Sequence, residues 1–240
     1  MCFISFGYSQ KKKTVKELTF AAQSSWPVVY TWSIQAKNNV EILPKSKKAA
    51  DSALYNLQMT TQSTLGSIIY ESAGILVGDG WVRLLGSGDG DMTRGIADWN
   101  KGKTFKEYGD QPKILLIADD IVGGFFAING GVLGEDLGNV YYLAPDTLFW
   151  EPLGVGYSDF VHWVFNADLA DFYVDLGYTD LVANQSEVSA DKAYFFEPSL
   201  FEKHDGIGSL KKSVIDVDEV WFYNQEVIRH LNDSQEEKGK

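Results

Sequence analysis

Four apolar runs in the middle of the chain constrain the fold more than any other feature. They are KILLIA (113–118), FFAI (125–128), NVYYLA (139–144) and TLFWE (147–151). The segments between them contain glycines or a Pro-Asp pair, and they are shorter than the roughly twelve residues that a helical crossover between parallel strands requires. The sequence therefore predicts consecutive strands of a largely antiparallel sheet.

A hairpin is predicted upstream of these runs. The segment GILVGDGWVRLLG at 74–86 consists of two apolar stretches around Gly-Asp-Gly. Glycine supplies the positive backbone angle that a tight turn between strands requires. A further short apolar run, VEIL at 40–43, ends at Pro44.

Capping patterns and helical periodicity predict helices on both sides of the strands. Thr14 followed by Glu17 is a capping box. Ser25 precedes a Trp-Pro pair that fits a first helical turn, and Ser46 is a suitable N-cap. The predicted helices lie at 15–24, after Ser25, after Ser46, at about 92–100, after Ser158, from Leu169 to Leu176 before Gly177, and from Val217 to Leu231.

These elements predict an α+β fold in which helices pack against a largely antiparallel sheet. The sequence contains no low-complexity linker and no internal repeat. We therefore expect one globular domain over 1–231, with an N-terminal extension and helix at 1–25. A solvated C-terminal tail is expected at 232–240, which reads NDSQEEKGK from Asn232.

The charge balance bears on the kind of partner. Lys and Arg total 21 and Asp and Glu total 33, which gives a formal net charge of −12. A field of this sign repels phosphate backbones, and the sequence has no basic stripe interleaved with aromatics, so we expect no nucleic-acid ligand. Two interpretations of the acidic excess stay open: a solubility feature, or attraction for a basic protein partner.

The N-terminus and the cysteine content bear on the compartment. Cys2 is the single cysteine, which fits a reducing environment. The N-terminal MCFISFGYSQKKK places its basic residues after a short apolar run, whereas a secretory signal places them before a longer one. No run of about 18 apolar residues predicts a membrane span. The expected location is the cytoplasm, with no membrane partner.

Two adjacent acids, Asp119 and Asp120, follow the first of the four apolar runs. A strand end holds carboxylates rigidly, as metal-dependent phosphoryl-transfer and hydrolytic enzymes require. The following Ile-Val-Gly-Gly equally predicts a tight bend, in which the carboxylates accept hydrogen bonds from turn amides. Both interpretations stay open at this stage.

The segment GSGDGD at 86–91 raises similar alternatives. No lysine and hydroxyl follow in the P-loop arrangement. Asp89 and Asp91 alternate as in a calcium loop, but Asn100 stands where a bidentate glutamate is needed. A glycine-aspartate turn is the favoured interpretation. Since the histidines also lack ligand spacing, we predict no metal site, no cofactor and no catalytic residue.

Aromatic residues are abundant, and most are expected in the core. Adjacent aromatics in one strand point to opposite faces, so both faces of the sheet must be covered unless one face binds a partner. Trp81 and Trp150 are the candidates for an aromatic ligand-binding cleft. The candidate partner- or ligand-binding residues are Trp81, Asp89, Asp91, Asp119, Asp120, Asp146 and Trp150.

Three stretches resemble an uncharacterised bacterial family of unknown function: TTQSTLGSIIYESAGILVGDGWVRLLGSG, ADDIVGGFFAINGG and GNVYYLAPDTLFWEPLGVGYSDFVHWVF. Through that family the chain resembles the SUKH superfamily, which contains yeast cell-wall regulators and many bacterial immunity proteins. The second resemblance is carried by the Asn129-Gly130-Gly131 turn, the GxxYY strand, and the DFxxW helix through Asp159, Phe160 and Trp163.

The SUKH-like resemblance implies a curved antiparallel sheet with helices packed against it, used for protein binding. It further implies an immunity protein that neutralises a bacterial toxin, and the net charge of −12 makes a basic toxin domain the expected partner. The alternatives are a small-ligand-binding protein with an aromatic cleft and a metal-dependent hydrolase using the strand-end aspartates. The resemblance supplies no catalytic residue.

The same resemblance favours an architectural role for DDIVGGFFAINGG. We predict structural turns at Gly123, Gly124, Asn129, Gly130 and Gly131. Valine at any of the four glycines is expected to lower stability sharply, whereas asparagine at Asp119 is expected to have a mild effect.

Overall fold

The computed structural model describes residues 12–238, so residues 1–11 of the predicted N-terminal extension and the last two residues of the predicted tail lie outside the described residues. The strands are β1 (Val40–Leu43), β2 (Gly74–Val77), β3 (Val82–Leu85), β4 (Ile114–Asp120), β5 (Phe125–Asn129), β6 (Asn139–Leu143), β7 (Trp150–Gly156), β8 (Lys192–Glu197) and β9 (Lys211–Asp216). The α-helices are α1 (Val15–Leu18), α2 (Trp26–Gln35), α3 (Lys47–Leu57), α4 (Thr64–Glu71), α5 (Ile96–Asn100), α6 (Tyr157–Asn166), α7 (Leu169–Phe172), α8 (Tyr178–Leu181) and α9 (Val217–Lys238).

The first seven strands form one sheet in the order β1 to β7, and every neighbouring pair is antiparallel. The predicted antiparallel sheet and the predicted α+β class are therefore confirmed. The hairpin of β2 and β3 also lies where the sequence predicts it, and Gly78, Asp79 and Gly80 in its turn all have positive φ. Strands β8 and β9 form a separate two-stranded sheet that the sequence patterns did not predict.

Both faces of the large sheet are covered. Phe126 points to one face and packs against Phe160 of α6, with the rings tilted and 5.0 Å between their centroids. Phe125 points to the other face and meets Trp221 of α9 edge-on, again at 5.0 Å. The second face also carries β8, whose Tyr194 N–H donates to the Ile121 carbonyl at 2.7 Å. The adjacent aromatic residues of β5 and β6, Phe125 with Phe126 and Tyr141 with Tyr142, are thus core residues.

Several predicted helices are confirmed with their caps. Ser46 caps α3 through the Ala49 N–H, and the capping box of Thr14 and Glu17 opens α1. Pro27 lies in the first turn of α2. The predicted helix at 15–24 is shorter, because α1 ends at Leu18 and a 3₁₀ turn follows at Ala21–Gln23. The predicted helix at 169–176 is likewise divided into α7 and the 3₁₀ turn Val174–Leu176.

The last strand of the sheet differs from its prediction at 147–151. Strand β7 begins at Trp150 and continues to Gly156, through Pro152 and Gly154. Proline is tolerated there because β7 is an edge strand and needs no N–H donor on its open side. The residues before it form a turn in which Leu148 has φ of 55°.

The helix after β7 also begins differently. Gly156 is the N-cap of α6, so Ser158 lies inside the first turn. The Ser158 hydroxyl instead lies 2.7 Å from the Thr64 hydroxyl and links α6 to α4. At the other end of the chain, α9 continues to Lys238, so the predicted tail from Asn232 is helical that far, although residues 232–234 are exposed.

The turns around β5 are set by close backbone approaches. The Asn129 side-chain oxygen accepts from the Gly131 N–H at 2.8 Å and from the Leu133 N–H at 3.2 Å. A Cβ on Gly130 would lie 2.2 Å from the Pro112 carbonyl oxygen, which makes this position inaccessible to larger residues. Gly123 has φ of 92°, a conformation that side chains with a Cβ rarely adopt.

Candidate functional site

The adjacent acids Asp119 and Asp120 are both fully buried, and they serve opposite faces of the sheet. Asp119 pairs in register with Arg83 and Phe125, on the face that α9 covers. Asp120 contacts Tyr173, on the face that α6 to α8 cover. This division follows from the two-residue period of a strand, which sends consecutive side chains to opposite sides.

Asp119 lies between two arginines. Its Oδ1 accepts from Arg83 Nε at 2.6 Å, and its Oδ2 accepts from Arg94 Nη1 at 2.5 Å. The Arg83 side chain is fully buried and that of Arg94 is 8% exposed. One carboxylate thus pairs with two guanidinium groups, and without it the fully buried Arg83 would have no carboxylate partner among the described residues.

Arg83 Nη2 donates to the Asp120 carbonyl of β4 at 2.8 Å, and other guanidinium hydrogens bind β8 and the residues just before it. Arg83 Nη1 donates to the Lys192 carbonyl at 2.9 Å, and Arg94 Nη2 donates to the Ala190 carbonyl at 2.6 Å. Arg94 Nε donates to Asp191 Oδ1 at 3.1 Å, and this carboxylate also accepts from the hydroxyl and N–H of Thr93. The cluster therefore fastens the β8–β9 layer to the large sheet.

Asp120 has a different environment, in which it meets neutral donors. Its Oδ1 accepts from the Val122 and Gly124 N–H groups at 3.1 and 2.8 Å. Its Oδ2 accepts from the Tyr142 and Tyr173 hydroxyls at 2.7 and 3.2 Å. Burial raises the pKa of the Asp120 carboxyl above its ordinary value, since desolvation disfavours the charged form more than these hydrogen bonds favour it.

We expect Asp120→Asn to lower the free energy of unfolding by only about 1 kcal/mol. The asparagine oxygen can accept from the two turn amides while its NH₂ donates to the tyrosine hydroxyls, which rotate to accept. Because the folded-state pKa of Asp120 is raised, ionisation costs wild-type stability as the pH rises through that pKa, whereas the variant cannot ionise.

Urea unfolding at about pH 4.5 and about pH 7.5 measures both effects. The stability difference between wild type and Asp120→Asn should be smaller at the higher pH. A difference that grew with pH would show that the carboxylate is the favoured buried form.

The burial of both acids bears on the predicted hydrolase. Every oxygen of the two carboxylates is engaged by protein donors. Within residues 12–238 no group of three or more His, Cys, Asp or Glu side chains is arranged to hold a metal ion. The Asp120 carboxylate accepts hydrogen bonds from turn amides, as the second of the two interpretations of the sequence predicts. The Asp119 carboxylate instead forms ion pairs with arginines.

The other predicted site residues do not join these acids at a surface. Trp81 is fully buried against Tyr173 and Tyr178, with ring centroids 5.4 and 4.4 Å away, so it lines no open cleft. Asp89 and Asp91 are exposed, on the loop that leads to Arg94. Asp89 Oδ1 accepts from the Gly90 N–H at 2.8 Å, as in an ordinary turn.

Asp146 and Trp150 lie at the two ends of the turn between β6 and β7, and both are half-buried. Leu148 in this turn has φ of 55° and is buried, which turns the next residue outward. Phe149 is 63% exposed. An exposed aromatic ring beside Asp146 and Glu151 gives this turn a mixed apolar and acidic surface.

The charge of the chain is distributed unevenly along the sequence. Residues 114–191 contain 13 acids and no Lys or Arg. The rest of the chain contains 20 acids and 21 Lys and Arg, so it is nearly neutral. The net charge of −12 therefore arises from the part of the chain that forms β4 to β7 and α6 to α8.

The exposed acids of this part are concentrated on α7, α8 and the turn between them. We call Asp168, Asp171, Asp175 and Asp180 the acidic surface; all four are exposed. None of the four forms an ion pair with any residue that the structure describes. Val174, in the middle of the acidic surface, is 60% exposed.

Arg83, Arg94 and the acidic surface were not predicted from the sequence. A lone arginine within the apolar VRLL run was one available signal, because a charge there needs a buried partner. The absence of Lys and Arg from 114–191 was another. The pairing of Arg94 with Asp191 joins residues 97 positions apart and leaves no local pattern.

The helices formed by residues 12–238 do not include one with the length and apolar composition of a membrane crossing.

Residues 15–220 match the family model described as "Protein of unknown function DUF2625". An uncharacterized protein of Haemophilus influenzae is 39% identical over 188 residues, which cover 78% of this chain and 82% of the relative. The putative uncharacterized protein YbfG of Escherichia coli K12 is 39% identical over 209 residues, which cover 87% and 94%.

These matches confirm the resemblance to an uncharacterised bacterial family and do not name the SUKH superfamily, so that relationship stays a prediction. The matched region contains all seven strands of the large sheet, both members of the β8–β9 hairpin and the start of α9. The chain therefore belongs to the DUF2625 family of proteins of unknown function.

Proposed function

We propose that this protein is a binding module whose acidic surface engages a basic protein partner. The observation that carries the proposal is the group of four exposed carboxylates of the acidic surface, in and around α7 and α8, that have no ion-pair partner within the described residues. Elsewhere in the described structure, acids such as Glu71 and Asp216 are paired with lysines. Unpaired charges of one sign are available to an incoming surface of the opposite sign.

The arrangement fits protein recognition in two further respects. Exposed Val174 provides an apolar contact among the carboxylates, and exposed Phe149 provides one beside Asp146 and Glu151. Interfaces commonly combine apolar anchors with a charged rim. The long-range field of the acidic segment would accelerate the approach of a basic partner, and this acceleration decreases as salt screens the charges.

The finer proposal concerns the partner's identity. The SUKH-like motifs around Asn129 and in α6 support an immunity protein that neutralises a basic bacterial toxin domain in the cytoplasm. A polar, single-sign surface suits such a role because it gives fast association with a basic target. The same SUKH-like resemblance implies that the large sheet is curved, and this curvature is part of the proposal.

The test compares two variants with equal changes of net charge. In the first, Asp171, Asp175 and Asp180 of the acidic surface are replaced by asparagine. In the control, three exposed acids outside residues 114–191 are replaced by their amides: Glu41, Asp205 and Asp233. Each tagged protein is used to capture partners from lysates of the host and of competing bacteria at about 50 and 300 mM salt, and the bound proteins are identified.

We expect wild type and the control variant to retain a basic protein at low salt and to release it at the higher salt. The acidic-surface variant should capture at least about tenfold less of the same protein, since the loss of three favourable charges weakens binding by more than about 1.4 kcal/mol. Equal capture by both variants would show that overall charge, and not this surface, is responsible. Capture that does not respond to salt would refute the electrostatic basis.

A further inference from the structure

Helix α2 presents an uncharged apolar side to solvent. Its sequence, WPVVYTWSIQ, contains no Asp, Glu, Lys, Arg or His. Val28, Tyr30 and Ile34 are 50%, 51% and 66% exposed. Surface helices of globular proteins normally carry charged or polar residues on the side that faces water. We call the exposed residues Pro27, Val28, Tyr30, Thr31 and Ile34 the α2 face.

The α2 face is held in place by the opposite side of the helix. Val29 is fully buried in the core, and the half-buried Trp26 and Trp32 pack against it. Trp32 meets the exposed His162 of α6 edge-on, with ring centroids 5.6 Å apart. The face is therefore a fixed surface, and contiguous exposed apolar surfaces of this kind mark interaction sites.

The net charge of the chain indicates which partner can cover the α2 face. Two copies of a chain with net charge −12 repel each other, so a contact between them is favoured where the surface carries no charge. A two-fold contact places each surface against itself, which an apolar face tolerates and an acidic one does not. The α2 face is such a surface, whereas the acidic surface is not.

The charges at its border fit the same arrangement. Contacts of Trp32 with His162 and of the Lys37 N–H with the Phe165 carbonyl show that α2 and α6 advance in the same direction. Exposed Asp159 lies one helical turn before His162 and therefore on the N-terminal side of Trp32, and exposed Lys37 follows the end of α2. If two α2 helices pack antiparallel, Lys37 of one copy approaches Asp159 of the other, and the two-fold axis makes this pairing twice.

We propose that the α2 face is the contact between two copies of this chain, with the α2 helices antiparallel about a two-fold axis. A helix of ten residues is about 15 Å long, so the contact is at the small end of specific interfaces. The expected dissociation constant is in the micromolar range. This proposal uses residues outside the acidic surface and does not depend on the proposed function.

Sedimentation velocity of the full chain over about 1 to 200 µM tests the contact, since this range spans micromolar dissociation. Wild type should shift from the 26.8 kDa monomer to a dimer as its concentration rises. Ile34→Glu should stay monomeric because it buries an unpaired charge in the apolar contact of each copy. Val214→Glu makes the same kind of change at an exposed valine of β9 and should dimerise like wild type.

Two further variants test the antiparallel arrangement. Lys37→Glu and Asp159→Lys should each weaken dimerisation, and their combination should restore it.

The proposal is overturned if wild type stays monomeric at every concentration. If, in that case, Ile34→Glu also fails to capture a protein that wild type captures from lysate, the α2 face binds a different protein and not a second copy. The proposal is also overturned if Ile34→Glu dimerises like wild type. Failure of the charge exchange to restore the dimer would refute the antiparallel arrangement. Unchanged melting temperatures for all variants would show that the differences in sedimentation arise from association and not from unfolding of a variant.

Discussion

Asp119→Asn is expected to lower the free energy of unfolding by about 3 kcal/mol or more, a large fraction of the roughly 5 to 15 kcal/mol that stabilises a typical domain. The asparagine cannot neutralise the Arg83 guanidinium, whose side chain is 0% exposed, and it removes one of the two carboxylates paired with Arg94, whose side chain is 8% exposed. Removing one partner of a buried ion pair leaves an uncompensated charge, which is more costly than the pair itself. The mild effect expected from the sequence is replaced by a large one, because both arginines are distant from Asp119 along the chain.

Urea unfolding followed by tryptophan fluorescence measures the effect, and Asp120→Asn is the matched control on the next residue of the same strand. The two substitutions are chemically identical and equally buried, yet we expect the control to lose only about 1 kcal/mol. Similar losses for both would contradict the assignment of the ion pairs to Asp119. As a second check, Arg83→Met combined with Asp119→Leu should recover part of the lost stability, since an apolar pair leaves less charge unpaired.

Gly124→Val is expected to lower the free energy of unfolding by about 3 kcal/mol or more. A Cβ at this position would lie 2.3 Å from Tyr142 Oη and 2.4 Å from Asp120 Oδ2. The valine must therefore displace both members of a buried hydrogen bond, which adds the cost of unsatisfied polar groups to that of overpacking.

Gly208→Val provides the comparison for this prediction. A Cβ added to Gly208 would meet no atom within 4 Å, and the residue lies in a short surface 3₁₀ turn. Thermal unfolding should give a melting temperature close to that of wild type for Gly208→Val and a reduction of about 6 °C or more for Gly124→Val. Equal melting temperatures would mean that the turn after β4 rearranges freely around a larger side chain.

The large sheet could be predicted from the sequence because its information is local. Each strand from β2 to β6 is an apolar run between turn residues, and the short connections between β2 and β3 and from β4 to β7 exclude crossovers there. Strand β7 was misplaced because its Pro152 and Gly154 imitate a loop, and only its edge position makes them tolerable. The β8–β9 hairpin was missed because the thirteen residues that separate its strands carry no tight-turn signal.

The candidate site was less predictable because its contacts are distant in sequence. The pattern at 119 and 120 indicated that the acids matter, but their roles depend on Arg83, Arg94 and Tyr173, which lie 25 to 53 positions away. The exposed side of α2 poses the opposite problem. Its apolar sequence resembles that of a core helix, and the fold alone shows which residues face water.

The two neighbouring acids of β4 have a consequence for the way in which the molecule opens. Asp119 secures the layer that contains β8, and Asp120 secures Tyr173 next to α7. Since successive residues of one central strand carry both attachments, a local distortion of β4 loosens the two sides at once. Amide hydrogens in β8 and in α7 should therefore exchange with solvent deuterium through a shared opening, as one cooperative unit whose members are far apart in the chain.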